Sequence, residues 1–178
     1  MTELSREYGD GLYALCAEEK IEAEVLDELK TLKGIFKEQP DFIRLLSNMS
    51  LPKAERLSIL DSALRGEVHP YVLNFLKILL ERSALHELDG CEQAFRENFN
   101  RDHSVLEARV TTSTELDNTQ REQLLEKLRK MTGKTVVLSE QIDPAVMGGA
   151  ILEMDGKRYD NTVRHRLEAI HRSMTGDE

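Results

Sequence analysis

The spacing of apolar residues changes once along this chain, near Asp102, and that change constrains the fold more than any other feature. Up to about Arg101 the apolar positions recur at three- and four-residue intervals, the period of a helix with one buried face. Leu4, Tyr8, Leu12 and Leu15 share one face of a first helix. Ile21, Val25, Leu29, Leu32 and Phe36 line a second, which ends at Pro40. A short third carries Phe42, Ile43, Leu45 and Leu46. Ser50 is the expected cap of a fourth, with Pro52 in its first turn. His69-Pro70 opens a fifth, and Leu88, Cys91, Phe95 and Phe99 stripe a sixth. Six helices on short links predict a bundle.

Beyond Asp102 the period falls to two. In "VLEARVTT", Leu106, Ala108 and Val110 alternate with Glu107, Arg109 and Thr111, which predicts a strand with one wet face. Asp117 and Gln120 form a capping-box pattern before a helix with Leu124, Leu125, Leu128 and Met131 inside and Gly133 at its end. "TVVLSEQI" and "AILEM" are two further strands, and Asp155-Gly156 is a hairpin turn into "KRYDNTV". A last helix should bury Val163, Leu167, Ile170 and Met174. The fold class expected is therefore α+β. A six-helix bundle over residues 1–104 precedes a small α/β domain over 105–178, with a short, mostly antiparallel sheet and two helices. Charge divides at the same place: 13 basic and 20 acidic residues give −7 through Ser104, and 11 and 13 give −2 beyond it.

Composition excludes several function classes. A net charge of −9 disfavours non-specific binding to nucleic acid or an anionic membrane surface. No apolar run approaches the roughly 20 residues that span a bilayer. The acidic opening "MTELSREYGDG" resembles neither a signal peptide nor an Arg-rich transit segment, so a cytosol-facing protein is expected. Cys16 and Cys91 lie far apart within helical patterns and read as buried thiols. None of the five histidines pairs with another three or four residues away on a helix, and neither cysteine has a histidine at ligand spacing, so no metal site is expected. With no nucleophile elbow and no phosphate loop, neither a cofactor nor a catalytic residue is expected. An enzyme built on an unrecognised carboxylate pair stays as a rival.

Two stretches carry more than packing. Gly148-Gly149 looks at first like a phosphate loop, but a strand follows it, and the helix begins some twelve residues later. A dinucleotide fingerprint needs strand, glycines and helix in direct succession, so a tight turn or bulge is the better reading. Thr162 or Asp160 then caps the final helix. On that helix Arg164, His165, Arg166 and Arg172 make a basic exterior, diluted by Glu153, Asp155, Asp160 and Glu168. An RNA-binding or ribosome-associated α+β protein would use this surface and is the alternative reading. On the fifth helix, Val72, Leu73, Phe75, Leu76, Ile78, Leu79 and Leu80 cover an arc of roughly 220°, where a surface helix needs about 100°. That helix either sits centrally or leaves apolar surface for a partner helix.

The segments "NFLKILLERSAL" (Asn74 to Leu85) and "IDPAVMGGAILEMDGKRYDNTVRHRLEAI" (Ile142 to Ile170) resemble the two signatures of the ATP synthase delta subunit family. The mitochondrial counterpart of that family is the oligomycin-sensitivity-conferring protein. The resemblance covers nearly the whole chain and includes the closing Asp-x-x-Val-Arg-x-Arg-Leu, here Asp160, Val163, Arg164, Arg166 and Leu167. It departs from the family at Asn161-Thr162, where a small residue and Ser are usual, and at Gly9 and Gly11, where helix formers are usual. The resemblance implies a non-catalytic stator connector. Its bundle would hold α-subunit N-termini of the catalytic head, and β also comes within range. Its C-terminal domain would hold the end of the b subunit of the peripheral stalk. It further implies a peripheral position on the cytoplasmic side of the cell membrane, reached only through the complex. The α contact is expected at Tyr8, Leu12, Phe75 and Leu79. Gly148, Gly149, Asp160, Val163, Arg164, Arg166 and Leu167 are expected to bind the stalk or to build the C-terminal domain.

Overall fold

The computed structural model describes residues 2–48 and 50–167. It divides into two compact units, Met1–Arg101 and Asp102–Glu178.

The first unit contains α1 (Glu3–Glu19), α2 (Glu22–Glu38), α3 (Pro40–Ser47), α4 (Lys53–Leu64) and α5 (Pro70–Glu81). A 3-10 turn over Leu85–Glu87 then leads into α6 (Leu88–Asp102). Pro40 begins α3 and so separates it from α2. Pro70 begins α5, whose cap is the imidazole of His69, with Nδ1 accepting the Tyr71 backbone N–H at 3.3 Å. The backbone N–H of His69 in turn donates to the Glu28 carboxylate at 2.9 and 3.0 Å, which ties the start of α5 to α2.

α5 is the centre of this unit. Val72, Leu73, Phe75, Leu76, Leu79 and Leu80 are all buried, and of its wide apolar arc only Ile78 is well exposed, at 46%. All of the buried six but Leu73 join Leu12, Val25, Leu29, Leu32, Leu46, Leu60, Leu88 and Phe95 in one core. At its edge the α2–α6 seam holds a carboxylate: Glu92, 1% exposed, accepts from Lys33 Nζ at 3.0 Å, with Arg96 Nε 3.6 Å from its other oxygen.

Two expectations for this unit need correction. Pro52 is the cap of α4, which begins at Lys53, and no side chain completes that cap. Ser50 instead donates its backbone N–H to the Asn48 side chain at 2.9 Å, in a local turn. On α1 the buried face is Ser5, Gly9, Leu12, Tyr13 and Cys16, whereas Leu4 and Leu15 are exposed. The cause lies at Gly9. A Cβ there would sit 2.5 Å from the Cys91 carbonyl oxygen and 2.7 Å from Ala94 Cβ, so α6 lies directly against the α1 backbone. Thr2 Oγ1 donates to Glu87 at 2.7 Å, Asn98 donates to Asp10 at 2.6 Å, and Tyr13 meets Phe95 edge-on at 5.3 Å. The two helices thus run in the same direction, with Cys91 opposite Gly9 and Cys16 two turns further on. Both thiols are free and buried, and burial pushes them up to about 11 at Cys16 and about 12 at Cys91.

The second unit contains β1 (Val105–Thr112), α7 (Asn118–Thr132), β2 (Thr135–Ile142), β3 (Ala150–Met154) and β4 (Lys157–Asp160). The four strands lie in the order β2-β1-β3-β4. β1 pairs in parallel with β2 over eight residues, because α7 carries the chain back before β2 starts. The β1–β3 and β3–β4 pairings are antiparallel. The β3–β4 turn is Asp155-Gly156, both at positive φ, as a type I′ hairpin requires. Asp117 and Gln120 cap α7 reciprocally, and Gly133 ends it. Leu128, with Leu124 and Leu125, packs on Leu106, Ala108 and Val136, while Met131 points to solvent. The opposite face of the sheet is polar, with Arg109 facing Glu153 and Glu153 facing Arg158 across the strands.

Candidate partner-binding surfaces

The two C-terminal motifs turn out to be one piece of architecture. After β2 the chain turns on Asp143, whose carboxylate accepts the Ala145 N–H at 2.9 Å and whose carbonyl accepts from Val146 at 3.0 Å. Val146 is buried, Met147 is 72% exposed, and Gly148 and Gly149 follow at φ 69° and 84°. The Gly148 carbonyl accepts the Val163 N–H at 3.2 Å, and the Ala150 carbonyl accepts the Asn161 N–H at 3.0 Å. A Cβ on Gly149 would lie 2.3 Å from the Asn161 carbonyl oxygen. The glycine pair is therefore the seat on which the start of the final helix rests, a packing role in place of phosphate binding.

That helix start is held chemically as well. Thr162 is buried, and its hydroxyl accepts the His165 N–H at 3.2 Å while donating to Asp160 at 2.7 Å. The Asp160 carboxylate also accepts the Thr162 backbone N–H at 3.0 Å. These hydrogen bonds, the hydroxyl's first, hold the Asp160 carboxyl below the usual carboxylate range. Both residues proposed as caps thus work together. Arg166 donates through Nε and Nη2 to the Asn161 side chain, at 3.0 and 2.6 Å. Asn161, a departure from the family pattern, so fixes a motif arginine.

Of the residues on this helix, Val163 and Leu167 were expected inside, and both are exposed, Leu167 at 61%. Ile170 and Met174 lie outside the described residues. A polar cleft of about 320 Å³ separates the helix start from the sheet, lined in part by Met147, Arg158, Asp160, Arg164 and His165. Among the motif residues, Gly148 is hydrogen-bonded to Val163, Gly149 lies against Asn161 and Thr162, and Arg166 is tied to Asn161. Asp160 and Arg164 line the cleft, and Leu167 is exposed. Met147, which lines the cleft and is 72% exposed, was not singled out. Its apolar character between a proline turn and two glycines was the available signal.

The four bundle residues are placed differently. Leu12, Phe75 and Leu79 are in the core, and Tyr8 is half-buried at its edge. Only Tyr8 reaches the surface. The exposed apolar side chains on the same two helices are Leu4 and Leu15 on α1 and Ile78 on α5.

Known proteins match along almost the whole chain. The family model described as "ATP synthase delta (OSCP) subunit" matches residues 4–174. An "ATP synthase subunit delta" of Anaeromyxobacter dehalogenans is 30% identical over 177 residues, 98% of this chain and 98% of that protein. One from Clostridium kluyveri is 27% identical over 175 residues, 98% and 97% of the two chains. The fold is shared with a chain of the Toxoplasma gondii mitochondrial ATP synthase hexamer, at a TM-score of 0.75, 16% identity and 98% coverage of both chains. With its helical first unit, its mixed four-stranded sheet and a family match over residues 4–174, the chain belongs to the ATP synthase delta (OSCP) subunit family.

Proposed function

We propose that the chain is a non-catalytic stator connector of an F-type ATP synthase. The bundle holds N-terminal segments of the α subunits, with β within range, and the C-terminal unit holds the end of the b subunit. The head is thereby kept from turning with the rotor, and proton flow is coupled to synthesis. One observation carries the reading: each unit has its own core and its own exposed apolar side chains. On the bundle these include Leu4, Leu15, Ile35, Leu45 and Ile78; on the C-terminal unit they include Met131, Val137, Ile142, Met147, Val163 and Leu167. A chain that must grip two bodies at once needs two such surfaces. Tyr8 contacts the α segment directly, whereas Leu12, Phe75 and Leu79 support the helices from beneath. No described helix is long and apolar enough to cross a membrane, and attachment on the cytoplasmic side runs through the complex. The isolated chain should neither hydrolyse ATP nor bind Mg-ATP in calorimetry.

The test is sedimentation of the catalytic head with stalk-containing membranes stripped of this subunit. Adding the full chain should bring the head down with the membranes. A head that stays in the supernatant would overturn the connector reading.

A further inference from the structure

The two edges of the C-terminal sheet, β2 and β4, are finished differently. β4 has only four residues and carries Lys157, Arg158 and Asp160, the short and charged form in which exposed edges are kept from pairing. β2 has none of these devices. It runs for eight residues without proline or lysine and pairs with β1 in unbroken register. Its bonds to β1 use the odd-numbered residues: Thr135 and, just past the strand, Asp143 donate their N–H groups to the Ser104 and Thr112 carbonyls, at 3.0 and 2.8 Å. Successive residues of a strand direct their N–H and C=O groups to opposite edges, so those of Leu138, Glu140 and Ile142 point outward. Among the described residues none of these three has a backbone partner on that side.

The side chains at this edge are incomplete in the same way. A row of the core crosses the sheet as Met154, Ala108 and Leu138 and stops there. Ile142, on the same face as Leu138, is exposed, and so is Val137 on the other face. Glu140 stands between Leu138 and Ile142 in that row of alternate residues. Arg121 Nε donates to Glu140 at 2.5 Å, and the Glu115 carboxylate is near enough to favour the charged form of the same guanidinium. Two carboxylates on one cation, with Asp143 just past the strand, leave this part of the edge negative.

We infer that the β2 edge takes an extended segment of a partner protein as an added antiparallel strand, with apolar residues opposite Leu138 and Ile142 and a Lys or Arg opposite Glu140. The outward N–H and C=O groups supply affinity through main-chain bonds, and the alternate side chains supply the choice of partner. Antiparallel pairing is the more stable kind per residue. The two apolar residues prolong the core row that stops at Leu138, and the basic residue between them answers the surplus of carboxylates. The segment is thus recognised as apolar-x-basic-x-apolar. This site goes beyond the connector reading and does not depend on it.

The experiment is an NMR titration of the full, isotope-labelled chain with the peptide Thr-Val-Thr-Lys-Thr-Val-Thr, acetylated and amidated at its ends. The amide signals of Leu138, Glu140 and Ile142 should shift and saturate, and the absence of such a shift would overturn the site. Methylating the backbone nitrogens of both valines and the lysine removes the donors that face β2, and should weaken binding about tenfold or more. Methylating those of the threonines, which face away, should leave binding within about twofold of the parent. Any other order of these two peptides overturns the antiparallel strand. Glu140→Lys should weaken binding of the parent peptide about fivefold at low salt, and should restore binding of a peptide with Glu in place of its lysine. Unchanged affinity for both peptides, with the melting temperature also unchanged, would overturn the recognition of a basic residue.

Discussion

Two glycines two residues apart on α1 have opposite environments, so the same substitution should have opposite effects. Gly9→Ala puts a methyl group 2.5 Å from a backbone oxygen of α6, which must retreat. Overpacking of this kind costs about 1–3 kcal/mol. Gly11→Ala meets nothing and removes backbone freedom from the unfolded chain, a gain of about 0.5–1 kcal/mol. Urea denaturation of the two variants should show midpoints displaced in opposite directions, and displacement in the same direction would refute this account of α1. The pair also shows where sequence patterning falls short. Periodicity counts large apolar residues, so it assigned Leu4 and Leu15 to the core along with Leu12. Close approach of a backbone at a glycine leaves no mark in that count, although it decides which face is buried. At the other end of the chain, Asp160 carries a pH prediction. Its carboxyl is held below the usual carboxylate range by the Thr162 hydroxyl, so the deprotonated form is favoured in the folded state. Its contribution is then complete above the unfolded value of about 3.9 and is lost as pH falls through the lower folded value. Following the Thr162 and His165 amide signals by NMR from pH 6 to pH 2 should show the helix start loosening at the acid end. Asp160→Asn should show that loosening already at pH 6.

At the level of elements, α5 was ambiguous by pattern because a 220° apolar arc fits both a central helix and a helix with a partner. Burial of six of its residues answers for the centre, and leaves Ile78 as its one well-exposed large apolar side chain. Phe75→Asp would bury a charge with no partner beside Leu12 and Phe95 in the same core, at a cost above about 3 kcal/mol. The expected result is a loss of helical circular dichroism, with binding lost only because the bundle is lost. Ile78→Asp places the same charge in water and should leave the spectrum unchanged. If Phe75→Asp stays folded and only binding falls, α5 presents Phe75 to the partner after all. The strands were readable residue for residue, since "VLEARVTT", "TVVLSEQI" and "AILEM" alternate or carry β-branched runs between turn signals. What alternation could not give was the parallel β1–β2 pairing, which follows from the α7 crossover. Nor could it give the union of the Gly-Gly turn with the Asp160–Leu167 helix start. Those residues are eleven or more positions apart, and only backbone hydrogen bonds across the turn join them.

For the whole chain, the two units differ in how much core they own, and this sets a division of labour that can be measured. The bundle buries Phe75, Leu76, Leu79, Leu80, Phe95 and many further apolar side chains in one cluster, whereas the described core of the second unit is essentially Leu106, Ala108, Leu128 and Val136. A fragment of residues 1–104 keeps every element of the bundle, α1 through α6, and cuts no strand. It should fold alone, with helical circular dichroism and a cooperative melt, since its apolar core lies wholly within it. It should also bind the catalytic head as tightly as the full chain does, because α1 and α5 are intact. What it lacks is the surface of Met147, Val163 and Leu167. Added to stripped, stalk-containing membranes, it should therefore occupy the head and leave it in the supernatant, where the full chain brings it down. In excess it should compete with the full chain and release head already retained, a dominant effect that a merely unfolded fragment could not produce. Retention of the head by the fragment alone would place the stalk contact on the bundle and remove the second unit from the tether.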